Sequence, residues 1–330
     1  MSVYSIEDTT LTGIADAIRE KTNGTDNIDV DGMSDLIRGI TTGAELSIIV
    51  TADSGATVTA TKGSLSASAV SVNGTATVKV PEAGTWSVVA TLDGQTSSAV
   101  SVEVSASCEI GMSFFDPVFA NNSWSDIIAA CESGSVPETW VVGNSKAMTI
   151  NGKDYQIDII GKNHDDYADG SGKAPLTFQM HDCYDNIYGM NSTNTNVGGW
   201  TDCAMRTTRL PAIFALMPSD VQNGIKEVNK LTTAGNKSSV VNTTADKLFL
   251  LSEIEVFGTV SLSLPGEGKQ YDYYAAGNSK VKKRGTAANA WCERSPHKNT
   301  TGYYCNVTAA GVTNYSVAVA LLGVAFAFCF

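Results

Sequence analysis

Apolar residues follow a helical period at the start of the chain, alternate with polar ones over the next stretch, and then lose any single period. Leu11, Ile14, Ala15 and Ile18 stand at i, i+3, i+4 and i+7 behind Asp8 and its threonines. This predicts an N-capped amphipathic helix over 8–22 that stops near Thr22-Asn23-Gly24. A second short helix is predicted over about 31–40, with Met33, Ile37 and Ile40 on one side and Asp29 or Asp31 as cap. Helices this short bury little alone, so they are expected to pack on a partner or on their own copies.

From Glu45 to Ser105 the composition shifts to Val, Thr, Ala, Ser and Gly. LSIIVTA, ATVTATK, ATVKVP, WSVVATL and VSVEVS alternate with period two, separated by Asp53-Ser-Gly, Asn73-Gly74, Glu82-Ala-Gly and Asp93-Gly94. About seven short strands at such spacing predict an all-β immunoglobulin-like sandwich with Trp86 as its core aromatic. From Cys108 the pattern becomes α+β. WSDIIAACESG (124–134) is a capped helix ended at Gly134, and DVQNGIKEVNKL (220–231) a second, with Val221, Ile225 and Val228 on one face. MTINGKDYQIDIIGK and DKLFLLS are strands among long loops, which usually carry function or support the loops that do.

The last forty residues set unrelated side chains inside a regular frame. Trp291, Ser295-Pro296, Val307, Gly311, Ala318, Gly323-Val324, Phe326 and Phe328 make the frame, while His297, Asn299, Tyr303, Tyr315, Val317, Leu321 and Leu322 follow no period. A fold fixes its buried positions and leaves its surface free, so such a segment suits a recognition surface better than a catalytic pocket.

That frame resembles the C-terminus of variable proteins from phage diversity-generating retroelements, which carry a C-type-lectin-like domain. The runs NHDDYADGSGKAPLTFQMHDC (163–183), MNSTNTNVGGW (190–200), RTTRLPAIFALMPSDVQNGIKEVNKLT (206–232), DKLFLLSEIEVFG (246–258) and YYAAGNSKVKK (273–283) are similar to the same gut-phage group. LTGIADAIREKTNGTDNIDVDGM looks like an N-terminal segment shared by many phage tail proteins, and the strand-rich segment resembles their immunoglobulin-like spacers. The resemblance implies three parts: a helical assembly segment over 1–43, an immunoglobulin-like domain over 44–107, and a C-type-lectin-like ligand-binding domain over 108–330 with its variable region at about 291–330. It carries the variable, ligand-binding role onto His297, Asn299, Thr300, Thr301, Tyr303, Asn306, Thr308, Val312, Asn314, Tyr315, Ser316, Val317, Val319, Leu321 and Leu322. It implies a virion tail protein, made in a bacterial cytoplasm, that binds a host surface protein or glycan without a cofactor. It also implies contacts with other tail proteins through the N-terminal segment, and a homo-oligomer such as a trimer.

Composition narrows the alternatives. A net charge of −12 and a pI near 4.7 argue against nucleic acid, since phosphate binding needs clustered Lys and Arg. The start lacks a basic n-region and an apolar h-region, so cytosolic synthesis with the seven cysteines reduced is expected. The apolar run Val317–Phe330 is shorter than the roughly 20 residues a bilayer requires, so membrane insertion is not expected and the run reads as buried closing strands. His164-Asp165-Asp166 with Asp169-Gly170 is the sharpest polar cluster, with Asp165, Asp166 and Asp169 as candidate cation ligands, although the spacing does not make an EF-hand. The calcium motifs Glu-Pro-Asn and Gln-Pro-Asp of sugar-binding lectins are missing. Three histidines and no GxSxG argue against a hydrolase, and neighbouring His181-Asp182-Cys183 would diverge. The C-type-lectin-like fold also hosts formylglycine-generating oxidases, which would need a pair among Cys292, Cys305 and Cys329. Arg206, Arg209 and Arg294 are expected to pair with carboxylates such as Asp202 or Glu253, and Trp200 and Trp291 to pack in the interior. A structural tail module without selected recognition is the other reading.

Overall fold

The computed structural model describes residues 8–22, 46–92, 95–97, 99–112, 114–134 and 136–330. The chain is β-rich, with a short N-terminal helix and several sheets, and divides into two compact units, Met1–Phe114 and Phe115–Phe330. The predicted helix over 31–40 and the Asp93-Gly94 turn lie outside the described residues.

Helix α1 spans Asp8–Thr22. Ala15 and Ile18 are buried, but Ile14 of the predicted stripe is 39% exposed. The strands of the first unit are β1 (Ser47–Thr51), β2 (Thr57–Lys62), β3 (Leu65–Val70), β4 (Thr75–Lys79), β5 (Gly84–Leu92), β6 (Gln95–Thr96), β7 (Val100–Val104) and β8 (Cys108–Gly111). One sheet has the order β4-β1-β8, and the other runs β3-β2-β5 with β6 and β7 both on β5. The two share one core of Ile48, Val50, Val58, Ala60, Val78, Val88, Val104 and Trp86, as alternating strands require. Asn73 (φ +53°) and Gly74 (φ +84°) are both left-handed, which is why Asn-Gly makes this turn tightly. Strand β3 carries a weak alternating signal, because the inward positions of LSASAV are Leu65 and two alanines, none of them fully buried. Strand β8 pairs in parallel with β1, so the first unit runs past the boundary expected at 107.

The second unit opens on α2 (Trp124–Glu132). Ser123 and Asp126 form a reciprocal capping box at its start, and Gly134 at φ +67° ends it. A four-stranded antiparallel sheet of order β19-β11-β10-β9 follows, from β9 (Ser145–Ile150), β10 (Lys153–Lys162), β11 (Leu176–Met180) and the closing β19 (Ala327–Cys329). Every residue of β11 is buried, and Phe178 lies opposite Phe328. Their rings stack at 5.2 Å, with Trp124 and Phe119 completing an aromatic centre.

The helix predicted over 220–231 is a correction. Helix α3 covers only Ser219–Gly224, and the chain then extends into β12 (Val228–Thr233), which pairs with β13 (Val241–Asp246). Val221, Ile225 and Val228 are all buried, but from different elements. Gly224 packs against Ile128, where a Cβ would sit 2.5 Å from its Cδ1, and the β-branched Val228, Thr232 and Thr233 gain a ladder instead. DKLFLLS is likewise no regular strand: Asp246 closes β13, and Phe249 makes one isolated bridge to Ala327. Helix α4 (Glu253–Phe257) has its own capping box from Ser252 and Glu255. The hairpin β14 (Lys282–Arg284) with β15 (Ala287–Asn289) leads into the sheet of β16 (Trp291–Pro296), β17 (Tyr303–Val307) and β18 (Thr313–Val317), in that order.

Candidate ligand-binding surface

The frame of the last forty residues is interior. Trp291, Ser295, Val307, Ala318, Val324, Phe326 and Phe328 are fully buried, and Pro296 and Gly323 with them. Gly311, half-buried, takes φ +77° in the turn where its N–H donates to Thr308 O (2.9 Å). Strand β16 leaves register with β17 between Cys292 and Pro296, and Glu293, Arg294 and Ser295 are fully buried there. Tyr304 is also interior, its hydroxyl donating to Gly199 O at 2.9 Å.

The irregular positions fall mostly outside. Val312 (56%), Tyr315 (43%), Val319 (40%) and Leu321 (64%) are exposed, as are Asn299, Thr301 and Asn314. Thr300, Tyr303, Thr308, Ser316, Val317 and Leu322 are half-buried. Two expected surface residues need correcting. Asn306 is 1% exposed and donates to Ser316 Oγ at 2.8 Å, so it ties β17 to β18. His297 is also buried, because its Nδ1 accepts from Asn299 N–H (3.2 Å) and its ring packs 4.4 Å from Tyr315. Burial, then the Lys298 charge, lowers its pKa from the ordinary imidazole value. Tyr303 stands edge-on to Tyr315 at 5.5 Å, so His297, Tyr303 and Tyr315 form one aromatic cluster.

A second loop, not among the expected site residues, holds this surface in place. Asn196 is fully buried: its N–H donates to Thr301 O (2.7 Å), and its Nδ2 donates to Thr300 O (2.8 Å) and Tyr303 O (2.9 Å). Its Oδ1 accepts from Asn236 N–H at 2.9 Å. Nearby, Asn194 Oδ1 accepts from Ala318 N–H, and Asn191 N–H donates to Ala318 O. The loop closes only because of glycine. A Cβ on Gly199 (φ +54°) would lie 2.2 Å from Thr233 O, and one on Gly235 (φ +71°) 1.7 Å from Asn196 O. The one sequence signal was the asparagine-rich, Gly-Gly-ended run 190–200, whose partners lie about a hundred residues downstream.

Beneath the surface lies a buried charge network. Arg294 Nη2 donates to Glu255 Oε1 (2.8 Å) and Glu267 O (2.9 Å), its Nη1 to Leu250 O (2.8 Å) and to Glu255 Oε2, and its Nε to Thr232 Oγ1 (2.8 Å). Lys230 bridges Asp165 (2.7 Å) and Glu255 (2.8 Å). Burial alone would raise the Asp165 carboxyl, but the Lys230 ammonium with bonds from Lys230 and Thr177 holds it down to about 2. Glu253 accepts from Ser261, Leu262 and Ser263, and from Thr313 Oγ1 at 3.1 Å, which ties β18 to the loop after α4. The arginine partners therefore differ from those expected: Arg206 pairs with Asp246 and Arg294 with Glu255. Arg209 instead lies over the Tyr188 ring at 5.5 Å. Glu293 is fully buried with neither carboxylate oxygen hydrogen-bonded, and desolvation followed by the neighbouring glutamates pushes its pKa well above the usual carboxylate range.

The candidate cation ligands do not converge. Asp165 is committed to Lys230, Asp166 pairs with Lys173 at 2.7 Å, and Asp169 caps Ser171 N–H in its own turn. Among the described residues no group of three or more His, Cys, Asp or Glu could hold a metal ion. His181 Nδ1 meets Asp158 at 2.7 Å, while Asp182 accepts from Lys283 N–H and the buried Cys183 thiol is pushed up to about 11 by desolvation. Cys292, Cys305 and Cys329 are buried with thiol pKa values raised, again by desolvation, which disfavours the reactive thiolate. A cavity of about 830 Å³ is lined by Cys131, Tyr167, Lys173, Ile225 and Lys226, and by no residue from 291 to 322.

Residues 177–330 are similar to a family described as a domain of unknown function, DUF6273. The match opens on β11 and closes on β19, the two strands that pair through Thr177 and Cys329. No curated protein and no solved structure matches the chain.

Proposed function

We propose that this chain is a receptor-binding protein of a phage tail, whose C-type-lectin-like head displays a diversified surface to a bacterial host. In this reading the first unit supplies an immunoglobulin-like spacer, and the N-terminal segment assembles with other tail proteins or with copies of the chain. The observation that carries the reading is the segregation of the last forty residues into a buried regular frame and irregular positions that, His297 and Asn306 aside, are exposed or half-buried. Such a division lets side chains change without touching the core, which a catalytic constellation does not permit. The aromatic and small polar side chains at these positions are of the kind paratopes use, with exposed Tyr315 and half-buried Tyr303 as stiff amphipathic anchors and Asn299, Thr301 and Asn314 as adaptable polar contacts. Exposed Val312, Val319 and Leu321 suit a surface that is covered in use. Binding needs neither metal nor cofactor in this account.

The test is a graft. Replacing the exposed residues between 299 and 321 with a second, unrelated set should leave the melting temperature within a few degrees and change which bacterial cells the full chain binds. Unchanged cell binding would leave the structural-module reading in its place. In the genome, the reading expects a near-copy of the coding sequence for this tail, differing chiefly at adenines, beside a reverse transcriptase.

A further inference from the structure

We propose that β18 receives an extended polypeptide segment of the ligand as an added strand, which makes the ligand class a protein rather than a glycan. The inference rests on the receptor-binding reading and specifies its chemistry. At the two ends of the β17–β18 ladder, Thr308 N–H donates to Val312 O and Ala318 N–H to Gly302 O, both at 2.8 Å. Antiparallel ladders alternate bonded and non-bonded pairs, so the bonded pairs between those ends are Asn306 with Asn314 and Tyr304 with Ser316. Thr313, Tyr315 and Val317 therefore turn their backbone groups away from β17. Val317 O is taken by Ala320 N–H at 2.8 Å. The N–H groups of all three, and the carbonyls of Thr313 and Tyr315, have no hydrogen-bond partner among the described residues.

Strand β18 is the outer strand of its sheet, and each of its residues is exposed or half-buried. It thus offers donors and acceptors at a repeat of about 6.8 Å, two residues of extended chain. Another extended backbone carries complementary acceptors and donors at that same repeat. The side chains beside the edge fit the same mode. Tyr315 and Val317 share a face with Tyr303, Tyr303 lying opposite Val317 in register, and His297 closes the aromatic cluster there. Added strands draw affinity from main-chain bonds and specificity from alternate side chains. Main-chain groups do not change when side chains do, so a surface whose filling varies keeps a constant contribution to binding.

The test uses the full chain and a displayed library of linear random peptides of about ten residues, the length of a long strand. Selected peptides should slow the hydrogen exchange of the Thr313, Tyr315 and Val317 amides. Against those peptides, Tyr315→Ala removes the ring and Tyr315→Pro also removes the outward N–H. Proline is tolerated on an edge whose N–H faces solvent, and it should weaken binding about tenfold beyond alanine. Equal binding by the two variants, exchange at those amides unchanged by bound peptide, or a library that yields no binder would overturn the added strand. Should Tyr315→Pro fail to fold, the exchange of the unaltered chain decides alone. A glycan or folded protein that needs Tyr315 yet leaves those amides unprotected would also overturn the added strand and leave receptor binding standing. Cell binding indifferent to the graft would remove the receptor-binding reading itself.

Discussion

Asn196 gives the sharpest test of how the surface is held. Alanine at this position deletes the Nδ2 bonds to Thr300 O and Tyr303 O and the Oδ1 bond from Asn236 N–H, and leaves the backbone bond to Thr301 O. The side chain is fully buried, so water does not directly replace it. At about 1 kcal/mol for each of the three bonds, the loss is about 3 kcal/mol. In a unit of 150–250 residues this corresponds to a fall of about 6–12 °C in melting temperature. The effect should be local as well as global: hydrogen exchange followed by mass spectrometry on a peptide spanning 297–306 should show the backbone at 300–303 opening first. Asn194→Ala is the internal control, since Asn194 Oδ1 accepts from Ala318 N–H, which keeps its bond to Gly302 O. It should cost about 1 kcal/mol or less. If Asn196→Ala cost no more than that control and left exchange at 300–303 unchanged, the loop would be held by something other than these bonds.

Two further outcomes follow from the buried charges. Glu293 has a folded pKa raised above its ordinary value of 4.5, so its contribution is fully present below about 4.5 and is lost as pH rises toward the folded value. Glu293→Gln should therefore gain stability relative to the parent between pH 5 and pH 8 in urea melts; a difference that stayed flat with pH would refute the assignment. Arg294→Met leaves Glu255 and the Glu267 carbonyl without their main partner inside the unit, and should cost about 3–5 kcal/mol. Arg294→Lys should rescue little, because an ammonium cannot make the paired bonds to both Glu255 oxygens. A urea midpoint within experimental error of the parent for either variant would show that the network is not what holds β16.

What the sequence determined by itself lay in local periods, turns and caps. The helix over Asp8–Thr22, the capping box before Trp124, the Asn-Gly turn at 73–74, the alternating strands around Trp86 and the division of the last forty residues all sit in neighbouring positions of the chain. The tertiary structure decided what depends on distant partners. Val228 could continue a helix or begin a strand, and pairing with Asp246 settled it, with Ile128 packed against Gly224. His297 and Asn306 read as surface residues until Tyr315 and Ser316 covered them from the next strand. Asp165 looked like a cation ligand until Lys230, 65 residues on, neutralised it. Asn196 could not be identified as the support of the 300–303 loop, because its partners lie 104 and 107 residues away. A side chain's period is written beside it, whereas the group that satisfies its hydrogen bonds or charge is fixed only when the chain closes on itself.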